Sequence, residues 1–207
     1  MHAHDHFGGI SLKKPLIVFA GRSNVGKSST IRALTGRKVR VGKRPGSTRW
    51  ELRIDLGSVT VVDIPGFGYM ASTSKTEIEE MKTLLVRKLE EWSENILIAV
   101  MIIDISLFRE LVNRWETRGE IPIDIEFYTF LSEIASNVIV VANKFDKLKK
   151  KQKQTELKFL EEKLSAVLPN HELKIVSTSA TKKKGISELK ENIDLILVSS
   201  GIAPLEW

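Results

Sequence analysis

The 207-residue chain contains no cysteine, which excludes a disulfide framework and thiolate chemistry. That lack fits a reducing cytoplasm, where the protein is expected to act. Long apolar runs are missing too. The longest, Ile96–Ile103 (ILIAVMII), is ended by Asp104, and eight residues cannot cross a bilayer as a helix. The N-terminal stretch MHAHDHFGG has no apolar h-region, so no signal peptide is expected, and no lipidation signal points to a membrane. His2, His4 and His6 alternate as a metal chelate would, but with no apolar anchor they read as a loose tail. Anions are absent from residues 37–49 (RKVRVGKRPGSTR), which hold six cations, equal to the whole net charge of +6. On composition that segment is either a solvated basic loop or a contact to nucleic-acid phosphates.

What is present is a regular alternation. The runs Leu16–Ala20, Val59–Val62, Ile96–Ile103, Val138–Ala142 and Leu173–Val176 are apolar, β-rich and bounded by turn residues or charges, as buried strands are. Glu51–Leu56 (ELRIDL) alternates, and Leu56-Gly57-Ser58 turns it into the next run, which predicts an antiparallel hairpin. Residues 76–93 place Ile78, Met81, Leu84, Leu85, Leu89 and Trp92 on one helical face. Helices are also expected over 107–117, 124–135, 152–167 and 186–198. Strands alternating with helices imply a mostly parallel sheet with helices on both faces and a ligand at the carboxyl ends of the strands. The lysine runs Lys147–Lys153 and Lys182–Lys184 each read as solvated surface. In the 104–124 connection and the pattern after it, Trp115, Phe127 and Tyr128 are either core of a helix pair or anchors for a partner.

The chemistry lies at the ends of those strands. Gly21-Arg22-Ser23-Asn24-Val25-Gly26-Lys27-Ser28 matches GxxxxGK[ST], a P-loop, between a strand and a helix as the motif requires. Its backbone N–H groups would cradle the β-phosphate, Lys27 would reach the β/γ oxygens, and Ser28 would ligate Mg²⁺ at a helix N-terminus. Asp63 lies thirty-six positions after Lys27, at a strand end, and is the natural second Mg²⁺ acid. The Asp63-Ile64-Pro65-Gly66 turn would offer the Gly66 N–H to the γ-phosphate. Asn143-Lys144-Phe145-Asp146 reads as a guanine selector. The Asp146 carboxylate accepts from N1–H and the 2-amino group, and adenine would leave that charge unpaired. The Lys144 stem can cover the base, and Asn143 can brace the loop and reach the purine edge. In Ser177-Thr178-Ser179-Ala180 a backbone N–H, from Ser179 or Ala180, would meet O6. Pro45-Gly46-Ser47-Thr48 stands where a mobile switch belongs, with Thr48 (or Ser47) as a further Mg²⁺ ligand. Phe67 follows Gly66, where many switches carry a water-orienting glutamine, so slow turnover is expected.

GRSNVGKSS, RPGST, DIPGFGY and NKFD together resemble the EngB (YihA-like) GTPases, and Arg114–Phe130 is similar to archaeal members. The resemblance spans about Leu16 to Val198. It implies a three-layer α/β P-loop NTPase (Ras-like) fold, with a mostly parallel six-stranded sheet flanked by helices. Residues 15–200 would form the G domain between tails at 1–14 and 201–207. It further implies a Mg²⁺-dependent GTPase acting in assembly of the large ribosomal subunit, with ribosomal RNA or its precursor particle as partner. Bacterial members are associated with normal cell division and septation. Carried over by position, GTP contacts fall on residues 21–28, 44–48 (including Arg44), 63–66, 143–146 and 177–179, and Mg²⁺ on Ser28 and Thr48. Related GTPases with asparagine at the Asn24 position can bind K⁺ beside the phosphates. Lys27, Thr48, Gly66 and Asn24 are therefore the catalytic candidates, and a monomer is expected. Two other readings stand beside this one: a nucleotide-regulated RNA-binding protein with negligible hydrolysis, and the G domain of a membrane-associated system.

Overall fold

A computed structural model describes residues 14–37, 52–66 and 75–207, with residues 75–79 and 81 as backbone alone. The elements run β1 (Leu16–Ala20), α1 (Lys27–Thr35), β2 (Leu52–Asp55), β3 (Thr60–Asp63), α2 (Lys75–Trp92), β4 (Ile96–Asp104), α3 (Ile105–Glu116), α4 (Ile123–Ile134), β5 (Val138–Asn143), α5 (Lys150–Val167), β6 (Lys174–Ser177) and α6 (Ile186–Ser199). One six-stranded sheet has the order β2-β3-β1-β4-β5-β6. Every pairing is parallel except the β2–β3 hairpin.

Alternation along the strands divides the core between two faces. Val18, Ala20, Met101 and Ile103 pack with Leu89, Phe108, Tyr128, Leu131, Leu160 and Leu164 of α2–α5. Ile17, Phe19, Val100 and Ile102 pack with Ile31 and Leu34 of α1 and with Leu189, Ile193 and Leu197 of α6. These are the three layers. Phe127 and Tyr128 are buried in the α4 core, and Trp115 is half-buried.

The departures from expectation sit mostly at boundaries. β3, β4 and β5 each run on to a polar residue, Asp63, Asp104 and Asn143. The last two face each other across the sheet, so the ladder itself carries site residues to its carboxyl edge. Val59 is fully buried but precedes β3, and Glu51 lies outside the described residues. The 104–124 stretch is mainly helix. The Asp104 side chain accepts from Ser106 N at 3.2 Å and from its hydroxyl at 2.6 Å, capping α3 directly at the end of β4. On α2, Leu85 and Leu89 are buried but Leu84 is 38% exposed. Successive helical residues diverge by about 100°, so 84 and 85 cannot share the centre of one stripe. The side chains of Ile78 and Met81 lie outside the described residues. Residues 201–207, separated as a tail in the sequence, lie against α6. Leu205 is buried, and Asp194 accepts from Leu205 N at 3.1 Å and from the Trp207 indole at 2.9 Å. Three apolar side chains, Ile202, Leu205 and Trp207, supply the reason.

Candidate active site

The P-loop follows β1, whose neighbours β3 and β4 lie on either side of it, at the switch point where open α/β sheets bind ligands. Lys27 opens α1 and is 8% exposed. Its ammonium donates to Gly21 O at 2.7 Å and Arg22 O at 3.0 Å. Burial pulls its pKa down to about 8, partly opposed by the nearby Asp63 charge. The Ser28 hydroxyl donates to Asp63 Oδ2 at 2.9 Å. The other carboxylate oxygen, Oδ1, is buried with no hydrogen-bond partner among the described residues. Burial raises the Asp63 pKa, against the Ser28 hydroxyl and the Lys27 charge.

Beyond Asp63, Ile64 is buried and its N–H donates to Phe19 O at 3.3 Å, holding the turn against β1. Pro65 then leads to Gly66, whose O accepts from the Ser23 hydroxyl at 3.2 Å. A Cβ at Gly66 would stand 2.7 Å from the Ser23 backbone and 2.8 Å from Lys27 Nζ. The glycine is needed because the two phosphate motifs are in contact here. Gly26 is constrained likewise. Its φ is +105° and a Cβ would meet Asn143 Nδ2 at 2.3 Å.

At the other end Asn143 is 2% exposed. Its Nδ2 donates to Val25 O at 2.8 Å, and its Oδ1 accepts from the Thr178 hydroxyl and from Ala180 N, both at 3.1 Å. It therefore ties the P-loop, β5 and the loop after β6 together. Ser177 ends β6, and Ser179 N donates to Lys184 O at 3.0 Å. Lys144 has a left-handed φ of 61°. Its ammonium donates to Asn24 O and to Asp104 Oδ2, each at 2.6 Å, so it crosses to the P-loop. Phe145 N donates to Thr178 O at 3.0 Å. Asp146 is half-buried, with Lys182 Nζ 3.3 Å away. The Ser179 hydroxyl, and then Lys182, hold its carboxyl below the usual range. Asn24 is exposed with φ 64°, a conformation asparagine tolerates better than most residues.

Residues 21–28, 63–66, 143–146 and 177–180 thus converge on the carboxyl edge of the sheet. Arg44, Pro45, Gly46, Ser47, Thr48 and Phe67 lie outside the described residues. Sequence reasoning missed Asp104 and Asp124. The first was visible only as the charge that ends an apolar run, and the second as one acid in a helix.

A family model described as a 50S ribosome-binding GTPase matches residues 16–144. A probable GTP-binding protein EngB of Pyrococcus horikoshii is 44% identical over 177 residues, 86% of this chain and 81% of that protein. Its counterpart in Archaeoglobus fulgidus is 38% identical, covering 91% of this chain and 94% of its own length. The crystal structure of a probable GTP-binding protein engB aligns with TM-score 0.78 and 41% identity, over 89% of this chain and 99% of that one. Era, solved with MgGDPNP and nucleotides of 16S ribosomal RNA, aligns with TM-score 0.59 and 25% identity, over 86% of this chain and 55% of its own. With its P-loop, DxPG turn and NKFD loop brought to one edge of the sheet, this chain belongs to the EngB family of GTP-binding proteins, P-loop GTPases that hydrolyse GTP.

Proposed function

We propose that this GTPase is a monomeric cytoplasmic switch that engages ribosomal RNA of the large-subunit precursor in its GTP state. Its association with normal cell division and septation would follow from that assembly role. The observation that carries the reading is charge beside the nucleotide site. The run 147–153 leads into α5, and 182–184 follows β6. The Phe145–Thr178 backbone bond and the Lys182–Asp146 pair draw the two runs to either side of the base-reading loop. Lys147, Lys149, Lys150, Lys151, Lys182, Lys183 and Lys184 are all exposed there. The sequence carries a further basic segment, residues 37–49, with six cations and no anion, of which 38–49 lie outside the described residues. Clustered exposed lysines suit a phosphodiester backbone. Among the described residues no helix is long and apolar enough to cross a membrane, which gives the membrane-associated reading no support.

The residues present fit Mg²⁺. Asp63 Oδ1 is a buried carboxyl oxygen without a partner among the described residues, on the carboxyl that the Ser28 hydroxyl meets, and hard oxygen donors are what Mg²⁺ takes. Ser28, with Asp63 behind it and Thr48 from the switch, would hold the ion. When bound, the ion neutralises charge on the β/γ-phosphates. Lys27 contributes a second positive charge at the same oxygens, and Gly66 N–H is free of any Cβ that would keep a phosphate away. Asn24 is the residue from which a K⁺ site would be built.

Cosedimentation with large-subunit precursor particles tests the proposal. The GTP form should bind more tightly than the GDP form, with affinity falling steeply with salt. Changing Arg40, Lys43, Lys150, Lys151 and Lys183 to alanine should weaken particle binding and flatten the salt slope while leaving GTP affinity intact. Equal binding in both nucleotide states, unmoved by these changes, would overturn it.

A further inference from the structure

The 104–124 stretch and the helix after it bring a second acid to the P-loop. Asp124 is the second residue of α4 and 4% exposed. Its Oδ2 lies 3.7 Å from Arg22 Nη1, with side-chain exposures of 6% for Asp124 and 23% for Arg22. Arg22 Nε and Asp124 Oδ1 are both buried without hydrogen-bond partners among the described residues. Among the described residues, the charged groups that bear on Asp124 are Arg22 from the P-loop and Asp104 from the end of β4, itself paired with Lys144. The backbone around Arg22 is the working part of the loop. Its carbonyl accepts from Lys27, and the next two residues contact Gly66 and Lys144 through the Ser23 hydroxyl and the Asn24 carbonyl.

We infer that Asp124 is a positioning residue for nucleotide binding, holding the P-loop through the Arg22 guanidinium so that Lys27 stays aimed at the phosphate site. Solvent screens this pair little, so loss of the carboxylate leaves the Arg22 charge without its partner in a partly buried place. The loop then relaxes around Arg22, and the Arg22 carbonyl that helps orient Lys27 moves with it. The P-loop cradles the β-phosphate that GTP and GDP share, so the effect should fall on both alike.

Burial pushes the Asp124 pKa up to about 6, with Asp104 adding to the rise and Arg22 opposing it. A raised carboxyl pKa means the fold favours the neutral form: stability present at low pH is lost as pH rises through about 6. Asp124→Asn removes that cost but also leaves Arg22 unpartnered, so its Tm at pH 7 carries two opposed changes. The readout that separates positioning from a merely structural role is the pH dependence of nucleotide affinity.

The experiment is equilibrium binding of fluorescent GDP and a non-hydrolysable GTP analogue to the full chain. Asp124→Asn and Arg22→Gln should each weaken both ligands by on the order of five- to tenfold. The double variant should be no weaker than the worse single one. Wild-type affinity should drop on acidification through about pH 6, a step absent from Asp124→Asn. Should Asp124→Asn fail to fold, Arg22→Gln and the wild-type pH profile still decide. Unchanged affinity in a folded variant, additive losses in the double variant, or no wild-type step between pH 5 and 7 on the order of threefold or more would each overturn the assignment.

Discussion

At the base end of the site, both side-chain polar atoms of Asn143 have partners, drawn from the P-loop and the loop after β6. At the phosphate end, Asp63 keeps one buried oxygen without a partner among the described residues, and Lys27 is buried far enough that its pKa falls to about 8. Both regions rest on the same sheet edge. The base end closes on itself and belongs to the fold, whereas the phosphate end holds charge that the fold alone does not satisfy. Polar groups left short of partners are the usual mark of a site shaped by its ligand rather than for stability.

The contrast can be broken most forcefully at Asn143. Asn143→Ala would strand Val25 O, the Thr178 hydroxyl and Ala180 N. We expect a loss of about 3 kcal/mol in stability, a fall of about 6–12 °C in Tm, together with weaker guanine nucleotide binding. Thermal unfolding and a binding titration check both, and an unchanged Tm would show that the base end is not part of the frame.

Asp63→Asn should divide the two quantities. Burial holds the Asp63 pKa up, so the stability it contributes at low pH is lost as pH rises through that raised value. The neutral isostere removes the cost, and Tm at pH 7 should stay level or rise while Mg²⁺-dependent GTP binding and turnover collapse. A lower Tm with intact turnover would reverse the roles of the two ends.

The smallest effect concerns Asn24. If the exposed asparagine helps hold K⁺ beside the phosphates, hydrolysis should be faster in K⁺ than in Na⁺ at equal ionic strength, and Asn24→Ala should erase the difference. Equal rates in both salts would leave Asn24 with its left-handed turn alone.

Much of this was legible in the chain. The P-loop reads from spacing and its strand–helix setting, the NKFD loop from its residue types, and the hairpin from Leu56-Gly57-Ser58, because each is a local pattern with a local cause. β1 and α6 begin where their apolar periods begin. Leu84 was misread since periodicity locates an apolar stripe without saying which neighbour covers its margin.

What the sequence determined by itself is the order of elements and the candidates for the phosphate- and base-reading groups, since backbone geometry, side-chain period and donor chemistry act over a few residues. What only the tertiary structure decided is who stands behind those groups. Asp104 reaches Lys144 because β4 and β5 pair in a register that sets Asp104 opposite Asn143. Asp124 reaches Arg22 because α4 begins at Ile123, directly after Pro122, beside the P-loop. The two lysine runs come to the same loop because β5 and β6 are neighbours. Contacts between residues tens to a hundred positions apart depend on sheet register and helix docking, which follow from packing of the whole core rather than from any local stretch of chain.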